Sequence, residues 1–172
     1  MQKQGKRKNI NVTMLNKLKY ANYGVVFQEI PNEVTLAINI SNCPYKCKGC
    51  HSDYLWNNIG NYIDNDIEKL LNKYDGMITC VCFMGGDQNL NDLINLLKMV
   101  RSKQLKTALY TGADDINKIS SAIPYLDFVK IGSYKEKLGG LNCKITNQKF
   151  YEITNKKLID KTYLFQKERC KF

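Results

Sequence analysis

Three cysteines and the only histidine of the chain fall within nine consecutive positions, Cys43 to His51, in the stretch NCPYKCKGCHSDYLW. Cys43, Cys47 and Cys50 are spaced C-x3-C-x2-C. A structural zinc ion wants four ligands, usually as two separated pairs, and no matching pair follows. Cys80 and Cys82 alternate along one face of a strand candidate, which is a core location. His51 directly follows Cys50, so their side chains diverge from any shared ion. A fully ligated iron–sulfur cluster takes four cysteines. Three thiolates on one loop suit a [4Fe–4S] cube with one iron left open, and an open metal position is the mark of a catalytic site. Structural zinc and reduced bystander thiols are the competing readings.

The elements around this loop have to position it. VTLAINI (Val34–Ile40) is a β-branched strand candidate running straight into the cysteines. DNDIEKLLNKY (Asp64–Tyr74) predicts a helix with Ile67, Leu70 and Leu71 on one face. ITCVCFMGG (Ile78–Gly86) has the nearly continuous apolar character of a strand covered on both faces. Asn89–Lys103 places Leu90, Leu93, Ile94, Leu97 and Val100 at helical spacing, with basic residues in the last turn. Lys106–Gly112 predicts a strand, Ala113–Ile123 a short helix and Leu126–Gly132 another strand, and the tail predicts a hairpin turning near Thr154–Lys157. Strand–helix alternation implies βαβ units and a mainly parallel sheet. At 172 residues the chain is well short of the roughly 250 of a full eight-fold barrel. The expected fold is therefore α/β: a partial, open-sided (β/α) barrel of mainly parallel strands with a C-terminal hairpin. Ligands of such sheets bind beyond the C-terminal strand ends. The cysteine loop, Gly85-Gly86-Asp87 and Tyr110-Thr111-Gly112 should meet on that rim.

Composition narrows the setting. Apolar residues make up 44% and charged residues 24%, which suits one ordered domain. Residues 1–17 are predicted to be a basic polar arm and 18–172 the folded domain. The start, MQKQGKRKNINVTMLNK, lacks the apolar core of a signal peptide, and no apolar run reaches the roughly 20 residues that span a bilayer. A cytoplasmic location and no membrane partner are expected, and clustered cysteines there point to metal or redox chemistry. The formal charge is +10, but the lysines are scattered outside Lys3–Lys8, so nucleic acid is not the expected partner. Asp87 is either a ligand-holding carboxylate or a helix N-cap. For His51 only the backbone is given a role. Cys80, Cys82, Cys143 and Cys170 are taken as structural or incidental, and Tyr54 and Trp56 as packing beneath the loop.

The triplet after the first strand and the Gly-Gly-acid turn after the second resemble the radical S-adenosylmethionine superfamily. GCHSDYLW, FMGGDQ, YTG and the late TNQ (Thr146–Gln148) together are similar to the activating proteins of anaerobic ribonucleoside-triphosphate reductases, over roughly Leu18 to Phe165. The resemblance implies a [4Fe–4S] cluster held by Cys43, Cys47 and Cys50, with S-adenosylmethionine on the open iron. Gly49, Cys50 and His51 would lie against the adenine, Gly85 and Gly86 would let the main chain approach the methionine moiety, and Asp87 would hold its ammonium group. It implies reductive cleavage to methionine and a 5′-deoxyadenosyl radical, which takes a hydrogen atom from a glycine Cα of the reductase, the radical being carried by the cofactor and not by a protein side chain. The implied partners are the reductase and a low-potential electron donor such as flavodoxin or ferredoxin. Another glycyl-radical enzyme or a small substrate such as a deazapurine precursor is the alternative within that class. A zinc-stabilised nucleic-acid-binding module or an electron-transfer protein is the alternative outside it. Two departures from the family pattern, Lys130 ahead of Ile131-Gly132 and Lys144-Ile145 ahead of Thr146, leave Lys130, Asn147 and Gln148 without an assigned role.

Overall fold

A computed structural model describes residues 17–167, so most of the predicted arm and Cys170 lie outside the described residues. Lys17, the arm's last residue, ion-pairs with Asp92 at 2.8 Å and Asp64 at 3.1 Å. Eight strands form one sheet: β1 (Lys19–Val26), β2 (Thr35–Ile40), β3 (Asn61–Tyr62), β4 (Cys80–Met84), β5 (Lys106–Tyr110), β6 (Phe128–Ile131), β7 (Lys149–Thr154) and β8 (Lys157–Asp160). Their spatial order is β3-β1-β2-β4-β5-β6-β7-β8, and the sheet does not close.

Only the central four strands, β2-β4-β5-β6, run parallel; the other four pairings are antiparallel. The expectation of a mainly parallel barrel is corrected accordingly. A parallel neighbour needs a crossover that carries the chain back along the sheet. Helix α1 (Ile63–Lys73) and helix α2 (Leu90–Ser102) provide that for β4 and β5. Residues 132–148 contain no helix, so β7 returns antiparallel to β6, and Asn155 and Lys156 turn β7 into β8 with positive φ. The short helix expected over Ala113–Ile123 is two 3-10 turns, Ile116–Ile119 and Ile123–Tyr125. Asp115 caps the first by accepting from the Asn117 N–H, and Pro124 opens the second.

Strand alternation sorts side chains onto two faces. Leu36, Ile38, Val81, Phe83, Leu109 and Val129 face the helices and pack with Ile63, Ile67, Leu93 and Leu97, all with zero or near-zero exposure. Each such side chain contributes roughly 1.5–3 kcal/mol on burial. The opposite face carries Cys80, Cys82, Ala108, Phe128 and Phe150, and no helix covers it. Ile30, from the β1–β2 connection, and Phe165, from the tail, fill it instead. Register arranges this inner face in layers: Thr35, Cys80 and Lys106, then Ala37, Cys82, Ala108 and Phe128, then Asn39, Met84, Tyr110 and Lys130. The lowest layer is closed by the Lys106–Glu33 ion pair. The topmost is left to face whatever lies above.

Candidate metal centre

What lies above is the cysteine loop. It leaves β2 at Ser41 and is folded back by main-chain bonds from Asn42 N–H to Asn57 O (2.9 Å) and from Cys43 N–H to Leu55 O (2.9 Å). Asn42, Lys46 and Gly49 take positive φ in the process. Leu55 is the residue buried beneath the loop. Leu55 and Trp56 both line the cavity, Trp56 half-buried, whereas Tyr54 is 40% exposed and accepts a hydrogen bond from Asn22 (3.1 Å), so Tyr54 does not pack beneath the loop as expected.

Cys43, Cys47 and Cys50 are half-buried free thiols, and all three line a cavity of about 1110 Å³. His51, Gly85 and Asp87 line it as well. The convergence expected of the three rim motifs is present, joined by hydrogen bonds. The Tyr45 hydroxyl donates to Asp87 Oδ2, Thr111 Oγ1 donates to the same oxygen at 2.8 Å, and the Ala113 N–H donates to Thr111 Oγ1 at 2.9 Å. Asp87 Oδ1 is buried with no hydrogen-bond partner among the described residues. The cap of α2 is Asn89, which accepts from the Asp92 N–H at 3.2 Å, so Asp87 is not the helix cap.

Gly86 is buried behind the wall, where a Cβ would meet Leu18 and Leu93 at 3.3 Å, whereas Gly49 is exposed and a Cβ there would meet Glu136 and Tyr134 at 3.4 and 3.5 Å. The φ values of +98° at Gly85 and +111° at Gly86 are the left-handed geometry that favours glycine. Cys80 and Cys82 are fully buried on the inner face, and Cys82 Sγ lies 3.9 Å from Met84 Sδ. Burial drives both thiols well above their ordinary range, which keeps them protonated and inert.

Several cavity residues carried no usable signal in the sequence. Lys130 rises from the topmost inner layer and donates to Gly132 O at 3.1 Å. Desolvation lowers its ammonium to about 8, against the pull of Cys47, Cys50, Asp114 and Cys43. Burial, followed by the bond to Asp87, pushes Tyr45 up to about 12. The Cys43 thiol is raised by burial, opposed by the Tyr45 and Lys46 main-chain groups. The Tyr110 hydroxyl donates to Glu29 O and pins the β1–β2 connection across the cavity floor.

The donor set suits a cluster. Three sulfurs without disulfide partners face a space that also holds the half-buried Lys130 and an unpartnered carboxylate oxygen. No group of three or more His, Cys, Asp or Glu among the described residues converges as ligands of a single ion, and the thiolates of a cube each bind a different iron. A family model described as 4Fe-4S single cluster domain matches residues 33–162. No curated protein and no solved structure matches the chain.

Proposed function

The chain belongs to the 4Fe-4S single cluster domain family, and from that premise we propose that it is a radical S-adenosylmethionine activase that installs the glycyl radical of an anaerobic ribonucleoside-triphosphate reductase. The coarser statement, an iron–sulfur protein of the 4Fe–4S kind, follows from the family itself. The observation that supports the finer reading is the shared cavity: three thiols on one side, and on the other the Asp87 carboxylate with one oxygen unpartnered.

In this reading Cys43, Cys47 and Cys50 would hold the cluster, with one iron left to the amino and carboxylate groups of S-adenosylmethionine. Once bound, the pair would supply one-electron reductive cleavage of the sulfonium and removal of a hydrogen atom from a glycine Cα. The protein's own work is placement. Asp87 would accept from an N–H of the amino group, the Lys130 ammonium would offset negative charge on the thiolate loop, and Gly85, Cys50 and His51 would wall the space. The layer of Ala37, Cys82, Ala108 and Phe128 beneath excludes water from the floor. Among the described residues the sheet does not close, and an unclosed sheet is what a glycine carried on a protein loop would require. The reductase as partner, flavodoxin or ferredoxin as electron donor and a cytoplasmic setting belong to the same proposal. Among the described residues no helix is long and apolar enough to cross a membrane.

The test is product analysis on anaerobically reconstituted protein. Reduced protein with S-adenosylmethionine should yield 5′-deoxyadenosine, and Cys43→Ala, Cys47→Ala or Cys50→Ala should each abolish it. Added reductase should then show a glycyl signal by electron paramagnetic resonance. Colourless protein with stoichiometric zinc would eliminate the proposal. Cleavage without a glycyl signal would move it to another glycyl-radical enzyme or a small substrate.

A further inference from the structure

Tyr45 occupies the first gap of the cysteine triplet, two residues after Cys43 and two before Cys47, yet its side chain belongs to the opposite rim. Its hydroxyl donates to Asp87 Oδ2, beyond the end of β4, and lies 3.5 Å from Thr111 Oγ1, beyond the end of β5. Its ring rests on Gly112: a Cβ there would come within 2.6 Å of Tyr45 Cγ and Cδ2. Three chain segments far apart in sequence are thus joined through one phenol, and the last residue of β5 and the two that follow it each have a definable part. Tyr110 pins the floor, Thr111 supplies a second donor to Asp87 Oδ2, and Gly112 leaves room for the ring.

The arrangement is asymmetric at Asp87. Oδ2 takes two hydroxyl donors, while Oδ1 is buried and unpartnered. An unsatisfied buried carboxylate oxygen is costly unless a donor arrives, and a carboxylate anchored through one oxygen cannot rotate to relieve the other. We propose that Tyr45 is a positioning residue: by holding Asp87 Oδ2 it presents Oδ1 to an N–H of the amino group of an amino-acid-bearing ligand, and it ties the placement of the cysteine loop to the occupancy of that ligand site. The inference rests on the function proposed above and adds to it the residue that couples its two halves.

The experiment measures equilibrium binding of S-adenosylmethionine, and of the same sulfonium with hydrogen in place of its α-amino group, to anaerobically reconstituted protein. Tyr45→Phe removes the hydroxyl and keeps the ring on Gly112. It is expected to weaken S-adenosylmethionine about tenfold, the effect of losing one bond to a charged group, and to leave the desamino ligand unchanged. In the Asp87→Asn background the same substitution should have no further effect. Thr111→Val removes the other donor and should give the same selective loss, which keeps the inference testable if phenylalanine at position 45 impairs cluster uptake. Equal weakening of both ligands, or a full Tyr45→Phe effect without the Asp87 carboxylate, overturns it. So does unchanged affinity in both variants. If the unsubstituted protein binds no S-adenosylmethionine, the functional proposal itself fails, a result distinct from all of these.

Discussion

Gly60 and Gly76 both have positive φ, +87° and +69°, but their surroundings differ. A Cβ at Gly60 would lie 1.9 Å from Tyr20 O and 2.7 Å from its carbonyl carbon, whereas one at Gly76 would meet nothing within 4 Å. An alanine in the left-handed region costs about 1–2 kcal/mol, offset by roughly 0.4–1 kcal/mol from the stiffer unfolded chain. Gly76→Ala should therefore destabilise by about 1 kcal/mol. Gly60→Ala adds an overlap with main chain that no rotamer can relieve, and overpacking typically costs about 1–3 kcal/mol more, for a total near ~3 kcal/mol. The consequence reaches the metal centre. Gly60 follows Ile59, whose carbonyl accepts from the Ser41 hydroxyl at 2.6 Å, and precedes Asn61–Tyr62, which pair with β1. This close approach returns the far arm of the cysteine loop to the sheet. Urea unfolding of the two cluster-free variants measures the free energies, and iron and sulfide analysis after reconstitution measures the centre. Gly60→Ala should lose both stability and iron, and Gly76→Ala should retain its iron. Equal losses in the two variants would refute the steric argument.

Cys82→Ala removes a fully buried sulfur beside Met84, so it should cost about 1–2 kcal/mol in chemical denaturation while iron content stays at the unsubstituted level. Lys130, lowered to about 8 by burial, binds its proton less tightly in the folded than in the unfolded chain. From about pH 8 towards its ordinary 10.5 the unfolded state therefore holds more protons, and this residue's contribution to stability rises with pH. Lys130→Met should flatten that component: the stability difference between cluster-free wild type and variant should grow in favour of wild type across that window. A constant difference would show that the ammonium is solvated.

Some of this was legible in the residues. The parallel core β2-β4-β5-β6 announces itself as continuous apolar runs, and both helices as periodic ones, because burial on two faces or on one stripe leaves a mark in composition. β1 was not read as a strand: Asn22 and Gly24 dilute its pattern, and its hydrogen bonds to β2 and β3, not its propensity, hold it. The C-terminal hairpin turns where expected, β7 into β8 between Thr154 and Lys157, but alternation implied a mainly parallel sheet, and the long connection to β7 contains no helical crossover, so β7 returns antiparallel to β6. Cys43, Cys47 and Cys50 are visible because the ligation proposed for them would fix their spacing locally. Tyr45 is not, since its partners lie 42 and 66 positions away and nothing local marks a tyrosine that bonds across a cavity.

The inner face carries the functional logic as a gradient. At its base Lys106 and Glu33 close the sheet in an ion pair, Ile30 and Phe150 fill the middle, and Asn39, Tyr110 and Lys130 make the upper layer polar. A ligand therefore has no route through the floor. It must enter from the cysteine-loop rim or past the outer strands β3 and β8, which have no further neighbours among the described residues. Had β7 joined parallel through a helix, the extra layer of packing would favour closure and a small diffusible substrate. The antiparallel return is made without a helix, so the feature that departs from the expected barrel also leaves out the layer that closure would add, as the protein substrate proposed above would require.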